Sequence, residues 1–372
     1  MGSAYTPGLT VSSGRMIQRT RRLPIKGEVL ARVGESVAPE TVVARAYLPG
    51  IMQSVRVSNL LGIDPSEIET VLRVKVGDPV ESGQPLAESK GLFGLFRTEV
   101  KSPVSGVVET VSDVSGNVGI RQAPTPLDMR AYVSGKISSV LSGEGVVVET
   151  FGALVQGIFG VGGERTGVVQ VAVNGPGDVL DTAGIGPEMA GKILIGGSNL
   201  TGAALKKADG LGVAGIVVGG IVDKELIEFL GYDIGVAITG HEKIQTTLVL
   251  TEGFGAIPMA ARTFDLLRSL DGRIGSINGA TQIRAGVMRP ELIVPGDSAQ
   301  AVSEPDAGFT LEIGTNIRII REPYFGELGV VSDLPSQLVT VDSGAQVRVL
   351  GATLKSGDSV TVPRANVEIV AG

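Results

Sequence analysis

The sequence predicts a multidomain β and α/β protein, with β-barrel modules at both ends and a central domain of βα repeats. Three observations predict it. Short Val-Gly-acid-x-Val phrases recur in the first third, apolar strands alternate with glycine corners and helices in the middle, and strand-turn-strand units with alternating apolar residues fill the end. At 372 residues the chain suits two to four domains of roughly 60 to 150 residues each. Its 54 glycines are about twice the usual share of roughly 7%, so short strands and tight turns are expected. The expected layout is a flexible basic arm at 1–22, a β-barrel hybrid at 23–135 and a β-rich extension at 136–190. An α/β domain at 191–294, a linker at 295–311 and a second small barrel at 312–372 follow.

Composition removes several chemistries. With no cysteine there is no disulfide framework, thiolate nucleophile, Cys-ligated zinc or iron–sulfur cluster, and a cytoplasmic setting is expected. Residues from Met1 onward run polar and basic through Arg15, Arg19, Arg21 and Arg22, without the apolar stretch of an export signal. The most apolar window, Val146 to Gly163, is interrupted by Glu149, Gln156 and glycines, so it reads as buried structure and not as a membrane span. A formal charge of −7 argues against broad coating of nucleic acid.

In the first third, Val33-Gly34-Glu35-Ser36-Val37 recurs as Val76-Gly77-Asp78-Pro79-Val80. Pro24-Ile25-Lys26-Gly27-Glu28-Val29 resembles Pro103-Val104-Ser105-Gly106-Val107-Val108, with Val133-Ser134-Gly135-Lys136-Ile137 as a candidate third copy. The order of Val74 to Leu86 followed by Ser102 to Val108 resembles the lipoyl/biotinyl-like barrel-sandwich hybrids over roughly Leu23 to Val111. That family includes swinging-arm carriers, transporter adaptors, electron-transport subunits and a segment of RNA polymerase. In the carriers of that family the hairpin tip bears a modified lysine; Lys90 is the one candidate here, with an ordinary solvated lysine as the other reading. The tip here is lengthened to Gly-Leu-Phe-Gly-Leu-Phe and lacks the Met-Lys-Met and Asp-Lys-Ala phrases of modified members. Leu92, Phe93, Leu95 and Phe96 are therefore expected to make an apolar contact with a neighbouring domain, another subunit or a partner, with a membrane surface as the last alternative.

From Gly191 the pattern becomes βα. Strands are expected at Lys192 to Ile195, Gly215 to Val218 and Thr247 to Leu250, and helices at Leu200 to Leu211, Asp223 to Leu230 and Met259 to Leu270. Ser198 or Asn199 is the expected cap of the first helix and Asp223 of the second. The sheet is expected to be largely parallel, or of the swivelling β/β/α kind. Its glycine corners, Gly196, Gly197, Gly219, Gly220, Gly253 and Gly255, form a candidate anion site at helix N-termini. They match neither Gly-x-Gly-x-x-Gly nor a Walker sequence. Glu252, Arg262, Asp265 and Arg284 are candidates to line a pocket there. His241, the single histidine, cannot supply a multi-histidine metal site.

In the last stretch, Gly314 to Val331 forms strand, aromatic-containing turn and strand, followed by strands at Val347 to Leu350, Ala352 to Leu354, Ser359 to Val362 and Val367 to Val370. Asp333 to Gln346 is expected as a polar loop. This order resembles the SH3-like KOW barrels of NusG-type transcription factors and certain ribosomal proteins. The resemblance implies contact through Tyr324 and Phe325 with nearby Arg318, Arg321 and Arg364. The acidic balance of the segment shifts the expected contact from RNA toward protein.

Taken together, these residues point away from an enzyme and toward a scaffold or adaptor that acts through protein contacts and self-association. No cofactor or metal is expected. The alternatives are a transcription- or translation-associated factor that binds RNA polymerase, ribosome or RNA, and an enzyme or sensor that binds an anionic ligand at the glycine corners.

Overall fold

In the structure, a computed structural model, residues 9–90, 97–232, 240, 242–282, 288–296, 311–319, 323–324, 326–340 and 346–369 are described. Among the described residues strand makes up 47% and helix 15%, so the protein is β-rich even where helices are interleaved. No described helix is long and apolar enough to cross a membrane.

The chain opens with β1 (Val11–Arg22), which pairs antiparallel along β13 (Gly145–Gln156). This corrects the expectation of a flexible arm over Val11–Arg22, while residues 1–8 of that arm lie outside the described residues. The arginines that look solvated in sequence have partners far along the chain. Arg19 forks onto Glu291, with Nε 2.6 Å from Oε1, and Arg21 forks onto Glu164 at 2.6 Å for both nitrogens.

An inner β module continues with β2 (Glu28–Val29), β3 (Ser36–Val37) and β4 (Val42–Leu48). The chain then leaves it to build an outer module of β5 (Met52–Val55), α1 (Val57–Leu61), α2 (Ile68–Val71), β6 (Pro79–Val80), β7 (Pro85–Lys90), β8 (Arg97–Lys101), β9 (Gly106–Ser112) and β10 (Asn117–Arg121). It returns with β11 (Thr125–Arg130), β12 (Gly135–Leu141) and β13.

The sequence repeat is a structural repeat, and the outer copy is inserted into the inner one. Gly34 N donates to Ile137 O at 2.8 Å and Gly77 N to Val108 O at 2.7 Å. The acid of each phrase receives the amide three residues before it, Arg32 N to Glu35 Oε2 at 2.9 Å and Lys75 N to Asp78 Oδ2 at 2.8 Å. Gly34 and Gly77 both adopt positive φ, +84° and +96°, which a side chain would resist. The match extends to the hairpins. β4 and β11 pair with a bulge between Met129 and Arg130, and β7 and β8 pair with a bulge between Pro85 and Ala87, so Val42↔Arg130 and Ala44↔Met129 correspond to Pro85↔Lys101 and Ala87↔Val100. Val133 to Ile137 therefore answers to Val104 to Val108, and residues 49–124 occupy the tip of the β4–β11 hairpin.

β13 joins the inner module to the centre of the molecule. Its first half pairs with β12 and its second half with β22 (Glu291–Pro295). The sheet then runs through β21 (Ile274–Asn278), β15 (Arg165–Val171), β17 (Ile193–Ile195), β19 (Gly215–Ile221) and β20 (Thr247–Phe254) to β14 (Phe159–Val161), eleven strands in all. β15, β17, β19 and β20 are parallel neighbours. Strands on both sides of the expected 190/191 boundary thus share one sheet.

The central strands are buried on both faces, which explains their continuous apolar runs. Leu194, Ile216 and Val218 pack with Leu205 and Ala208 of α3 (Gly202–Leu211) and Leu226 of α4 (Asp223–Leu230). Ile193, Ile195 and Val217 pack on the other face with Phe264 and Leu267 of α5 (Ala261–Ser269). Each such aliphatic contributes about 1.5–3 kcal/mol by leaving water. The cap of α3 is Thr201, whose Oγ1 accepts from Ala204 N at 3.2 Å, and not Ser198 or Asn199. Asp223 is the first residue of α4 and Val222 its cap.

The C-terminal unit holds β23 (Asn316–Ile319), β24 (Leu328–Asp333), β25 (Leu338–Thr340), β26 (Gln346–Leu354), β27 (Ser359–Pro363) and β28 (Val367–Ile369) in one antiparallel sheet, around Ile317, Val331, Leu350 and Val367. β25 lies inside the stretch expected as a polar loop, where Leu338-Val339-Thr340 pairs with β26. β26 also runs unbroken through Gly351, so the two strands expected there are one.

Candidate functional site

The parallel strands β15, β17, β19 and β20 end on the same edge, the place where open α/β sheets take ligands. All six candidate glycines lie there. The structure fills the space with the protein's own backbone. Gly196 N donates to Val217 O at 2.8 Å, Gly219 N to Gly197 O at 2.8 Å and Gly255 N to Ile221 O at 2.7 Å. Next to them, Ile257 N donates to Ser198 O at 3.0 Å and Met259 N to Pro176 O at 3.1 Å. A Cβ on Gly219 would overlap Ile257 O, and one on Gly220 would overlap Gly255 O. The glycines let residues 174–178, 196–198 and 253–259 stack closely, and the amides of Gly196, Gly219 and Gly255 already have acceptors. Ser198 contributes as a donor, its hydroxyl reaching Gly177 O at 2.8 Å.

Just beyond this edge the C-terminal unit docks through buried charge. Arg318 on β23 is only 2% exposed, which corrects its expected role as a surface contact. Its Nη2 donates to Glu252 Oε2 of β20 at 2.7 Å and its Nη1 to Glu368 Oε1 of β28 at 3.0 Å. Glu252 Oε1 accepts from Ala260 N at 3.1 Å, at the start of α5. Arg289 completes the set, with Nη2 2.9 Å from Glu368 Oε2. Two arginines and two carboxylates balance, so the desolvated charges are paired. Glu252 was a sequence candidate, whereas Glu368 and Arg289 were not. Glu368 sits in Val367-Glu368-Ile369 and Arg318 in Ile317-Arg318-Ile319, alternations that ordinarily mean an outward charge. The two lie directly opposite across β23 and β28, and the face they share is turned onto the central sheet.

A cleft of about 150 Å³ remains at this junction, lined by Phe254, Ile257, Gly326, Glu327, Leu328 and Lys355. It is below the roughly 300 Å³ at which ordinary small-molecule sites begin. Tyr324, at 36% exposure, is on the neighbouring turn, where its carbonyl accepts from Glu327 N at 3.0 Å. Arg364 is turned inward, donating from Nε to Val349 O at 3.0 Å and from Nη2 to Pro335 O at 2.9 Å. Asp265 pairs with Arg268 on the exposed side of α5 at 2.6 Å. Leu92, Phe93, Leu95, Phe96, His241, Arg284, Arg321 and Phe325 lie outside the described residues. Lys90 is the last residue of β7 and pairs with Arg97. Among the described residues no group of three or more His, Asp or Glu side chains is placed to hold a metal ion.

A second polar cluster joins Tyr232, Gly240 and Glu242 to Gly162, just after β14. Glu242 Oε2 accepts from Gly162 N and Gly240 N, both at 2.8 Å, and its Oε1 accepts from the Tyr232 hydroxyl at 3.0 Å. Burial pushes the Glu242 carboxyl up, but the donated hydrogen bonds outweigh it and hold the group below its ordinary range. Tyr232 is pushed up to about 12, by burial first and then by the hydrogen bond and charge of Glu242. A raised folded-state value means that the tyrosine's contribution to stability is complete below its ordinary value of 10.0 and is lost as pH rises through about 12. Glu242→Gln should move the Tyr232 midpoint down toward 10 in an ultraviolet absorption titration. An unchanged midpoint would remove Glu242 as a cause.

No protein-family model matches the chain, and no curated protein matches it either.

Proposed function

We propose that the chain is a non-catalytic scaffold or adaptor that acts through protein contacts, self-association among them. One observation carries this reading: the strand-end crevice where an α/β sheet would take a ligand is packed with its own backbone and flanked by the docked C-terminal unit. In this reading residues 23–135 hold a lipoyl-like barrel-sandwich hybrid, and the outer module carries its Val74–Leu86 and Ser102–Val108 phrases. The outer module's presence at a hairpin tip supports use as a reaching element. The C-terminal unit is an SH3-like KOW barrel with protein as its partner class. The pairing of Arg318 with two carboxylates supports protein over RNA, because that guanidinium is not free to meet phosphate.

The contact assigned to Leu92, Phe93, Leu95 and Phe96 is tested by light scattering on the full chain and on Phe93→Asp/Phe96→Asp. The expected result is a mass above one chain that falls to one chain in the variant. An unchanged mass would remove the contact. A parallel thermal-shift series with nucleotides and phosphorylated metabolites should show no stabilisation. A ligand at 100 times its Kd would add about 2.7 kcal/mol, and a shift of that order would instead support the ligand-sensor alternative.

A further inference from the structure

We infer that the outer module swings as a rigid arm on a two-chain neck between it and the inner module. The neck is made of residues 49–51 going out and 122–124 coming back. On its inner side the β4–β11 ladder ends at Leu48↔Thr125, and on its outer side the β5–β10 ladder begins at Met52↔Arg121. Two prolines, Pro49 and Pro124, lie between the two ladders. Neither has an N–H to donate, so the ladder cannot run through. Gln122 N to Ile51 O, 3.1 Å, is the backbone hydrogen bond that crosses this gap. Arg121 adds a side-chain bond from Nη1 to Gly50 O at 3.0 Å.

The packing on the two sides is separate. The outer core is Val55, Val57, Ile68, Val74, Val80, Leu86, Ala87, Val100, Val108, Val118 and Ile120, all within one continuous span. The inner core draws on Ile17, Val43, Val133, Ile137, Val148 and Ile293 and shares no residue with it. Among the described residues β5 to β10 pair only with one another. The neck's large apolar side chain, Ile51, is outside both cores and 71% exposed. Bending there opens no core and breaks few hydrogen bonds, so it belongs to the low-cost end of local motions. The inner module cannot follow, because β13 and β1 hold it to the eleven-stranded sheet. The motion is independent of what the arm binds.

The chain has no cysteine, so pairs of spin labels can be placed on the full-length protein. Val114→Cys, at a position 87% exposed on the outer module, is paired with Lys224→Cys on α4. The body control pairs Lys224→Cys with Met16→Cys on β1, which lies six strand spacings from β19, roughly 30 Å. The expected result is a distance distribution for the first pair at least twice as wide as the control. Equal widths would overturn the arm. Restoring both donors with Pro49→Val/Pro124→Val should narrow the wide distribution. A distribution that stays wide in that variant would overturn the assignment of the hinge to this neck.

Discussion

Arg318→Ala is expected to destabilise the full chain by about 3–5 kcal/mol, the cost of leaving buried carboxylates without their cation. Glu252 and Glu368 are 8% and 1% exposed, so water cannot replace the guanidinium. Arg289 still reaches Glu368 Oε2 at 2.9 Å. The larger share of the penalty therefore falls on Glu252, which among the described residues keeps Ala260 N as its donor. Glu252→Gln should be milder, about 1–2 kcal/mol, since it removes a charge-assisted bond but leaves Arg318 paired with Glu368. Arg318→Met combined with Glu252→Met should recover most of the loss, because an apolar pair of similar volume avoids the desolvation of both charges. Denaturant midpoints for the wild type, Arg318→Met, Glu252→Met and the double variant close a double-mutant cycle with a coupling of about 0.5–3 kcal/mol. A cost below about 1 kcal/mol for Arg318→Ala would mean that water reaches the pair and that the C-terminal unit is not docked through it.

The central layers were legible because their signals are local. Ile193-Leu194-Ile195, Gly215 to Val218 and Thr247 to Leu250 are apolar runs followed within three residues by glycine, and each is a strand flanked by a helix. The repeated Val-Gly-acid-x-Val phrase likewise reports a turn that is closed within a few residues. What the sequence hid is pairing at long range. β4 and β11 are two halves of one hairpin, but Arg45 and Asp128, which pair across it, lie 83 residues apart. Similarity between the copies was visible, whereas the insertion of one into the other was not. Val11 to Arg22 failed for the same reason, since Arg19 meets Glu291 across 272 positions and Arg21 meets Glu164 across 143.

The charged site was hidden by a different rule. Arg318 and Glu368 each alternate with aliphatics, so period-two reasoning assigns them to the solvent side of a strand. They are on that side, but it faces the end of β20 and Glu252. Strand periodicity separates the two faces of a sheet and does not say what covers either one. Only the buried carboxylate at Glu252, in a strand otherwise made of apolar and small residues, hinted that a cation must come from elsewhere.

Gly219→Ala carries the second large expected effect, about 3 kcal/mol of destabilisation, through overpacking against atoms that cannot yield. The added methyl would overlap Ile257 O and lie 2.8 Å from Gly197 O and 2.9 Å from Met259 N. All three are backbone, so relief requires moving residues 253–259 and breaking Gly219 N to Gly197 O, Ile257 N to Ser198 O and Met259 N to Pro176 O together. Gly210→Ala is the control for a glycine removed without a clash. It sits inside α3, and a methyl group added there would meet no heavy atom within 4 Å, so the change should stabilise by about 0.5–1 kcal/mol through helix propensity. Opposite signs from one chemical change, read as denaturant midpoints, separate a filled crevice from an open one. If Gly219→Ala cost less than about 1 kcal/mol, the strand ends would have room for a methyl group. A ligand at the glycine corners would then regain the standing that the packed backbone denies it.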